Sequence, residues 1–295
     1  MHTFSFWKRI ALAALLFATA LCSVTAVAQV TVAQISDTHI GDKHAPHAAA
    51  NLHQAVQMIN ARHPDAVILS GDIGENPQAW EQAKSILADL KSPLYYAPGN
   101  HDVHSTDVDR YRRVFGKDYY TFRVKDVTFV VIDSELLGNI DSFDAKQPQP
   151  LPPQTEEESE GMLNWLANLR SGDADRKDDR KHGHDREPDS HVFIGIQHIP
   201  VFRDGNFPAD TKPYWVINDP YRGQEMKILH DLGIKDMLVG HWHNGRVFEK
   251  NGITWHVAPS TSWLPWGGEL GFAMHTINPD GKVKTEFVDL PDARP

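Results

Sequence analysis

"VTVAQISDTH", Val30 to His39, is a short apolar run that stops abruptly at polar residues. Valine, isoleucine and threonine dominate it, the composition of a β-strand. An aspartate and a histidine, two apart, follow at once. The arrangement recurs along the chain. Ala66-Val67-Ile68-Leu69 runs into Ser70-Gly71-Asp72, and Leu94-Tyr95-Tyr96-Ala97 into Pro98-Gly99-Asn100-His101-Asp102. Val192 to Ile196 leads to Gln197-His198, and Asp236-Met237-Leu238-Val239 to Gly240-His241-Trp242-His243. Between the first three runs, apolar residues fall at helical spacing. They are Ala49, Leu52, Val56 and Ile59, stopped by His63-Pro64, then Trp80, Ala83, Leu87 and Leu90. Alternation of this kind predicts an α/β fold in which helices cover a mainly parallel sheet. Such sheets place their ligands beyond the carboxyl ends of the strands. All five polar clusters lie there.

Working outward, Tyr119 to Val124 and Val127 to Ile132 read as a hairpin around Lys125-Asp126. Thr155 to Leu169 reads as a helix whose acidic first turn suits the helix dipole, and Tyr221 to Leu232 as another. Gly245 to Glu249, Ile253 to Val257 and Phe272 to Ile277 are further strands. The pattern predicts stacked layers, a pair of sheets covered by helices, forming one catalytic domain over 29–295. The stretch 172–190 mixes acids, bases, His182 and His184 without apolar periodicity, and reads as a charged surface loop.

Lys8 and Arg9 precede an apolar run from Ile10 to Leu21, and Ala26-Val27-Ala28 is a small-residue cleavage pattern. Residues 1–28 therefore read as a signal peptide, and the mature protein as periplasmic or secreted with no membrane contact. A retained anchor is the alternative, although the run is short for a membrane span. Cleavage after Ala28 would remove Cys22, the only cysteine. It would also remove two positive charges, taking the formal charge from −10 to −12. A long-range basic field for nucleic acid is absent, so an anionic substrate needs local positive charge. Bound metal is one source.

The clusters offer carboxylate and amide oxygens and imidazoles, which suit Mn, Fe or Zn, and no thiolate. On an extended chain, residues two apart point the same way, so Asp37 with His39 and His241 with His243 can each act together. Glycines before Asp72, Asn100 and His241 permit tight turns beside a crowded site. Each cluster alone says little, since Gly-Asp is common and a lone strand-end histidine usually bonds to backbone. Five in this order, each after an apolar strand, are a different matter.

"SDTH", "GD", "GNHD", "H" and "GHWH" together resemble the calcineurin-like metallophosphoesterase superfamily, over about Val30 to Leu290. The resemblance implies a four-layer α/β/β/α sandwich holding two metal ions. It implies that Asp37, His39, Asp72 and His243 bind one ion, and that Asp72, Asn100, His198 and His241 bind the other, with Asp72 bridging. His101 would stand beside the leaving group and Asp102 would orient it, turn formation or helix capping being the other reading of Asp102. The implied activity is hydrolysis of small phosphate mono- or diesters by a metal-bound hydroxide. Two cations about 3.5–4 Å apart can hold the phosphoryl oxygens and provide that nucleophile at neutral pH. A histidine such as His101 can protonate the leaving alkoxide.

Departures narrow the resemblance. Purple acid phosphatases have tyrosine three residues after the bridging aspartate, where this chain has Glu75, so an iron–tyrosinate site is not expected. Class III cyclic-nucleotide phosphodiesterases usually have His-His-x-Pro, where this chain has Gln197-His198-Ile199-Pro200. That segment and Tyr214-Trp215-Val216-Ile217 are similar to a protein-phosphatase-like branch. A non-catalytic metal- or phosphate-binding protein of the same fold is the alternative from another class. Trp263, Pro265 and Trp266 form an aromatic loop that either lines a pocket for a base or aryl group or packs on the core. Arg203 and Arg222 either hold phosphate or form surface ion pairs. Native metals, substrate and oligomeric state stay open.

Overall fold

The computed structural model describes residues 29–103, 108–138, 143–169, 192–207 and 211–295. The expected signal peptide and the charged stretch 172–190, with His182 and His184, lie outside them. No helix among the described residues is long and apolar enough to cross a membrane.

Strand β1 (Val30–Ile35), β2 (Ala66–Ser70) and β3 (Leu94–Ala97) run parallel and adjacent, as the alternation with helices predicts. Helix α1 (Ala48–Arg62) returns the chain from β1 to β2, burying Ala48, Leu52, Ala55, Val56 and Ile59. It ends at His63, whose left-handed φ of 50° and following proline stop the helix. Helix α2 (Pro77–Leu87) is begun by Pro77 and by Asn76, whose side chain accepts from the Ala79 N–H. Helix α3 (Val108–Phe115) precedes the hairpin β4 (Tyr120–Val124) and β5 (Val127–Val131). Helix α4 (Pro153–Ala167), β6 (Val192–Ile196), α5 (Tyr221–Leu232) and β7 (Asp236–Val239) follow. The chain closes with β8 (Arg246–Lys250), β9 (Ile253–Val257), β10 (Gly271–Ile277) and β11 (Val283–Asp289).

These strands make two sheets, ordered β11-β10-β1-β2-β3 and β4-β5-β6-β7-β9-β8. Side-chain parity assembles them into layers. Val30 and Val32, Ala66 and Ile68, Phe129 and Val131, Ile194 and Ile196, and Leu238 meet in one apolar seam between the sheets. Their alternates face outward. Ala33, Ile35, Val67 and Leu69 pack under α1, α2 and Tyr111 of α3. Val130, Phe193, Met237 and Val239 pack under Met162 and Leu166 of α4 and Met226 and Leu229 of α5. The result is the expected four-layer α/β/β/α sandwich.

Two elements have no counterpart in the sequence reading. Helix α3 fully buries only Tyr111; Val108, Val114 and Phe115 pack half-buried beside it, a stripe only two turns long among three arginines and so a weak signal in sequence. Strand β11 buries only Val288 and is otherwise exposed or half-exposed, held to β10 by an antiparallel ladder.

Candidate metal centre

The carboxyl ends of β1, β2 and β3 in one sheet and of β6 and β7 in the other open onto a common point. Asp37 and His39 follow β1, Asp72 follows β2, and Asn100 and His101 follow β3. His198 follows β6, and His241 and His243 follow β7. Ligand atoms of Asp37, His39, Asp72 and His243 lie within 4.8 Å of one another, as do those of Asp72, His198 and His241. Asp72 is common to both groups. Its Oδ2 is 3.4 Å from His39 Nε2 and 3.1 Å from His198 Nε2. Asp37 Oδ1 is 3.3 Å from His243 Nε2. Asn100 and His241 both touch Tyr214, through its hydroxyl and its carbonyl.

The local backbone is not the extended chain that the two-residue spacing suggests. Asp37, His39, Asp72, His241 and His243 all have left-handed φ, at 53°, 40°, 54°, 69° and 56°. Each such non-glycine residue costs about 1–2 kcal/mol, so the surroundings must impose the conformation. They do so by hydrogen bonds between the loops. Asp37 N–H donates to Gly71 O at 3.1 Å, His39 N–H to Asp72 O at 3.0 Å, and Gly240 N–H to His198 O at 2.8 Å. The hydroxyls of Ser260 and Ser262 both donate to Asp37 O, at 2.8 and 2.7 Å. Close approach sets the glycines: a Cβ on Gly71 would strike the His198 ring, and one on Gly99 would strike the Asp72 carboxylate.

Each histidine of the cage is anchored by one ring nitrogen to an acceptor outside it. His39 Nδ1 donates to Glu75 Oε1 at 2.8 Å and His198 Nδ1 to Ser70 O at 2.7 Å. His243 Nδ1 donates to Trp263 O, and His241 Nε2 to Tyr214 O, both at 2.9 Å. The remaining nitrogens face inward. This is how proteins set imidazole tautomers for metal binding. The Nε2 atoms of His39 and His243 stand only 3.1 Å apart, and with both Nδ1 protons directed outward their lone pairs repel unless a cation lies between. His198 Nε2 and Asn100 Oδ1 are buried without a hydrogen-bond partner. The donor set therefore fits divalent metal.

The charges agree. Burial raises the Asp37 carboxyl, but His243 and His198 outweigh it and leave it lowered to about 2. Burial also opposes ionisation of Asp72, yet His198 and His101 hold it well below the usual carboxylate range. Burial disfavours charge on His198, but Asp72 raises it to about 9, so a cation binding there displaces a proton. His241 is pushed down to about 3, by burial first and then by His198, and stays neutral.

His101 lies at the edge of the cage, with 29% of its side chain exposed. Its Nδ1 donates to Glu75 Oε2 at 2.9 Å, while Glu75 Oε1 holds His39. Burial lowers the His101 pKa, but Asp72 and Glu75 raise it to about 10. Glu75, read from the sequence only as a missing tyrosine, is thus the orienting carboxylate. Asp102 instead accepts from the backbone N–H groups of Gly99 at 3.0 Å and Ile73 at 2.9 Å, which is its turn-forming reading.

Tyr214 was not singled out by sequence as a residue of the site. Its hydroxyl accepts from Asn100 Nδ2 at 3.1 Å, which fixes the amide and leaves its Oδ1 buried without a partner, and its carbonyl holds His241. Tyr214→Phe removes only the first contact. Affinity for divalent metal should fall about 10–100-fold, the usual effect of losing a partner of a ligand. Metal titration of the variant checks this, with the melting temperature of the metal-free protein as control for folding.

A cavity of about 290 Å³ opens above His39, Asp72, His101, His241 and His243. Trp263, Pro265 and Trp266 line one part of it and Phe143, Tyr214 and Trp215 another, so the aromatic loop is a pocket wall. Trp242 turns away and is fully buried against Phe207, 4.1 Å between ring centroids. Arg203 and Arg222 do not line the cavity. Arg222 Nε donates to Ile217 O, and the Arg203 guanidinium lies over the Phe207 ring.

Comparison with known proteins agrees with this geometry. The family model described as calcineurin-like phosphoesterase matches residues 30–245. Human serine/threonine-protein phosphatase CPPED1 is 26% identical over 205 residues, which are 64% of this chain and 57% of that protein. The chain thus spans little more than half the length of that relative. A probable cyclic nucleotide phosphodiesterase of Fibrobacter succinogenes is 24% identical over 78% of this chain and 79% of its own length. The structure of a dimetal phosphatase from Danio rerio superposes with a TM-score of 0.62 at 14% identity, covering 90% of this chain and 97% of that one.

Proposed function

The chain belongs to the calcineurin-like phosphoesterase family, and from that premise we propose that it is an exported hydrolase of phosphoric esters working with two metal ions. One observation carries the reading: Asp72 belongs to two adjoining groups of ligand atoms, one completed by Asp37, His39 and His243, the other by His198 and His241. Asn100 completes the second group in this reading. Mn, Fe or Zn bound there would supply positive charge to the phosphoryl oxygens and a nucleophile at neutral pH.

The chain's own residues do the rest. Asp72, common to both groups of ligand atoms, would hold the two ions together. With Nδ1–H donated to Glu75, the protonated form of His101 carries its second proton on Nε2 and can give it to the departing oxygen. The strand-end hydrogen bonds keep the donors in place before substrate arrives, so little reorganisation is needed. Export rests on Lys8, Arg9, the apolar run and Ala26-Val27-Ala28.

Purified protein supplied with Mn²⁺ should hydrolyse p-nitrophenyl phosphate, bis-p-nitrophenyl phosphate or both, and lose this activity on chelation. The ratio of the two rates assigns monoester or diester preference. No turnover of either by metal-loaded protein would favour a binding role instead.

A further inference from the structure

We propose that the substrate is a small phosphoester whose organic group is a planar aromatic ring system, held between the aromatic walls of the cavity above the cage. This rests on the hydrolase reading for the identity of the floor. The walls themselves argue the rest.

Every side chain of the cavity beyond its histidine and Asp72 floor is Phe143, Tyr214, Trp215, Trp263, Pro265 or Trp266. Among the described residues no lysine, arginine or second carboxylate lines it. The phosphate must therefore be held at the floor; Lys212 stacks on the Phe143 ring at 3.8 Å but does not itself line the cavity. The substrate's remaining surface is apolar.

The shape of the walls favours a flat group over a flexible chain. The rings brace one another edge to face. Trp215 and Trp266 are 4.9 Å apart by centroid, Phe143 and Trp215 stand perpendicular at 5.7 Å, and Trp263 meets His243 at 4.8 Å. Braced rings with few torsions present fixed faces and edges, which match another ring better than a rotating alkyl chain. A cavity of about 290 Å³ is near the small end of ligand sites and suits a phosphate with one ring system. The Trp263 indole N–H is buried with no acceptor in the protein.

The test separates binding from turnover. Mn²⁺-loaded protein is titrated with naphthylmethylphosphonate and with a straight-chain alkylphosphonate of the same carbon count, neither of which can be hydrolysed, and tryptophan fluorescence or calorimetry reads the affinities. The aryl compound should bind at least about tenfold more tightly, the gain from one ring stacked on an aromatic side chain. Trp266→Ala should bring the ratio close to one, and Trp266→Phe should restore most of it. Trp266 is only half-buried, so the variant fold is expected to hold. Equal or tighter binding of the alkyl compound, or an unchanged ratio in Trp266→Ala, overturns the proposal. Esters are then assayed separately. Aryl preference in binding without hydrolysis of any ester would sink the hydrolase reading and leave the subsite standing, whereas hydrolysis without aryl preference would do the reverse.

Discussion

Asp72→Ala should reduce hydrolysis at least about a thousandfold and lower the metal content of the purified protein. Removing a single contact that stabilises a transition state already costs roughly 10²–10³ in rate, and Asp72 serves both groups of ligand atoms. Its Oδ1 also accepts from the His101 N–H at 2.9 Å, so the loop that carries the proton donor loses an anchor. Elemental analysis should find about two ions per chain in the parent and no more than one in the variant. Thermal melting gives an independent readout. Saturating Mn²⁺ stabilises the parent by mass action, about 2.7 kcal/mol at a hundred times Kd, and should stabilise the variant far less. A variant that kept both ions and most activity would remove Asp72 from the bridge.

His101→Ala should behave differently. It should keep both ions while turnover falls about 10²–10⁴-fold, the usual contribution of a positioned acid. The loss should be greatest for alkyl esters, whose alkoxides need the proton, and smallest for p-nitrophenyl esters. His101 shares an oxygen-and-nitrogen group only with His39 and Glu75, outside the two groups centred on Asp72. Burial disfavours charge on His101, but Asp72 and Glu75 raise its pKa, the direction a proton donor needs. If the variant instead loses an ion, the His39, Glu75 and His101 group is itself a metal position, and His101 is not the acid.

The order of polar clusters after apolar strands was enough to read the parallel strands, their covering helices and the residues that converge. The reason is physical: buried parallel strands must be nearly all apolar, so the polar residues at their ends stand out. What escaped the reading had no such contrast. Helix α3 and strand β11 each bury one residue. Glu75 and Tyr214 act through partners 26 and 114 residues distant, His101 and Asn100, and no local pattern marks such a pairing. The left-handed φ of five cage residues was equally hidden, because it is imposed by bonds from other loops rather than by their own identity.

Each sheet brings only part of the cage: Asp37, His39, Asp72 and Asn100 come from one, His198, His241 and His243 from the other. Ions lodged there would act as rivets across two plates otherwise joined by an apolar seam and a few hydrogen bonds, such as Gln34 Nε2 to Val239 O and His198 Nδ1 to Ser70 O. The reaction centre and the mechanical fastening of the molecule would then be one object, so chelation would loosen the frame as well as silence the chemistry.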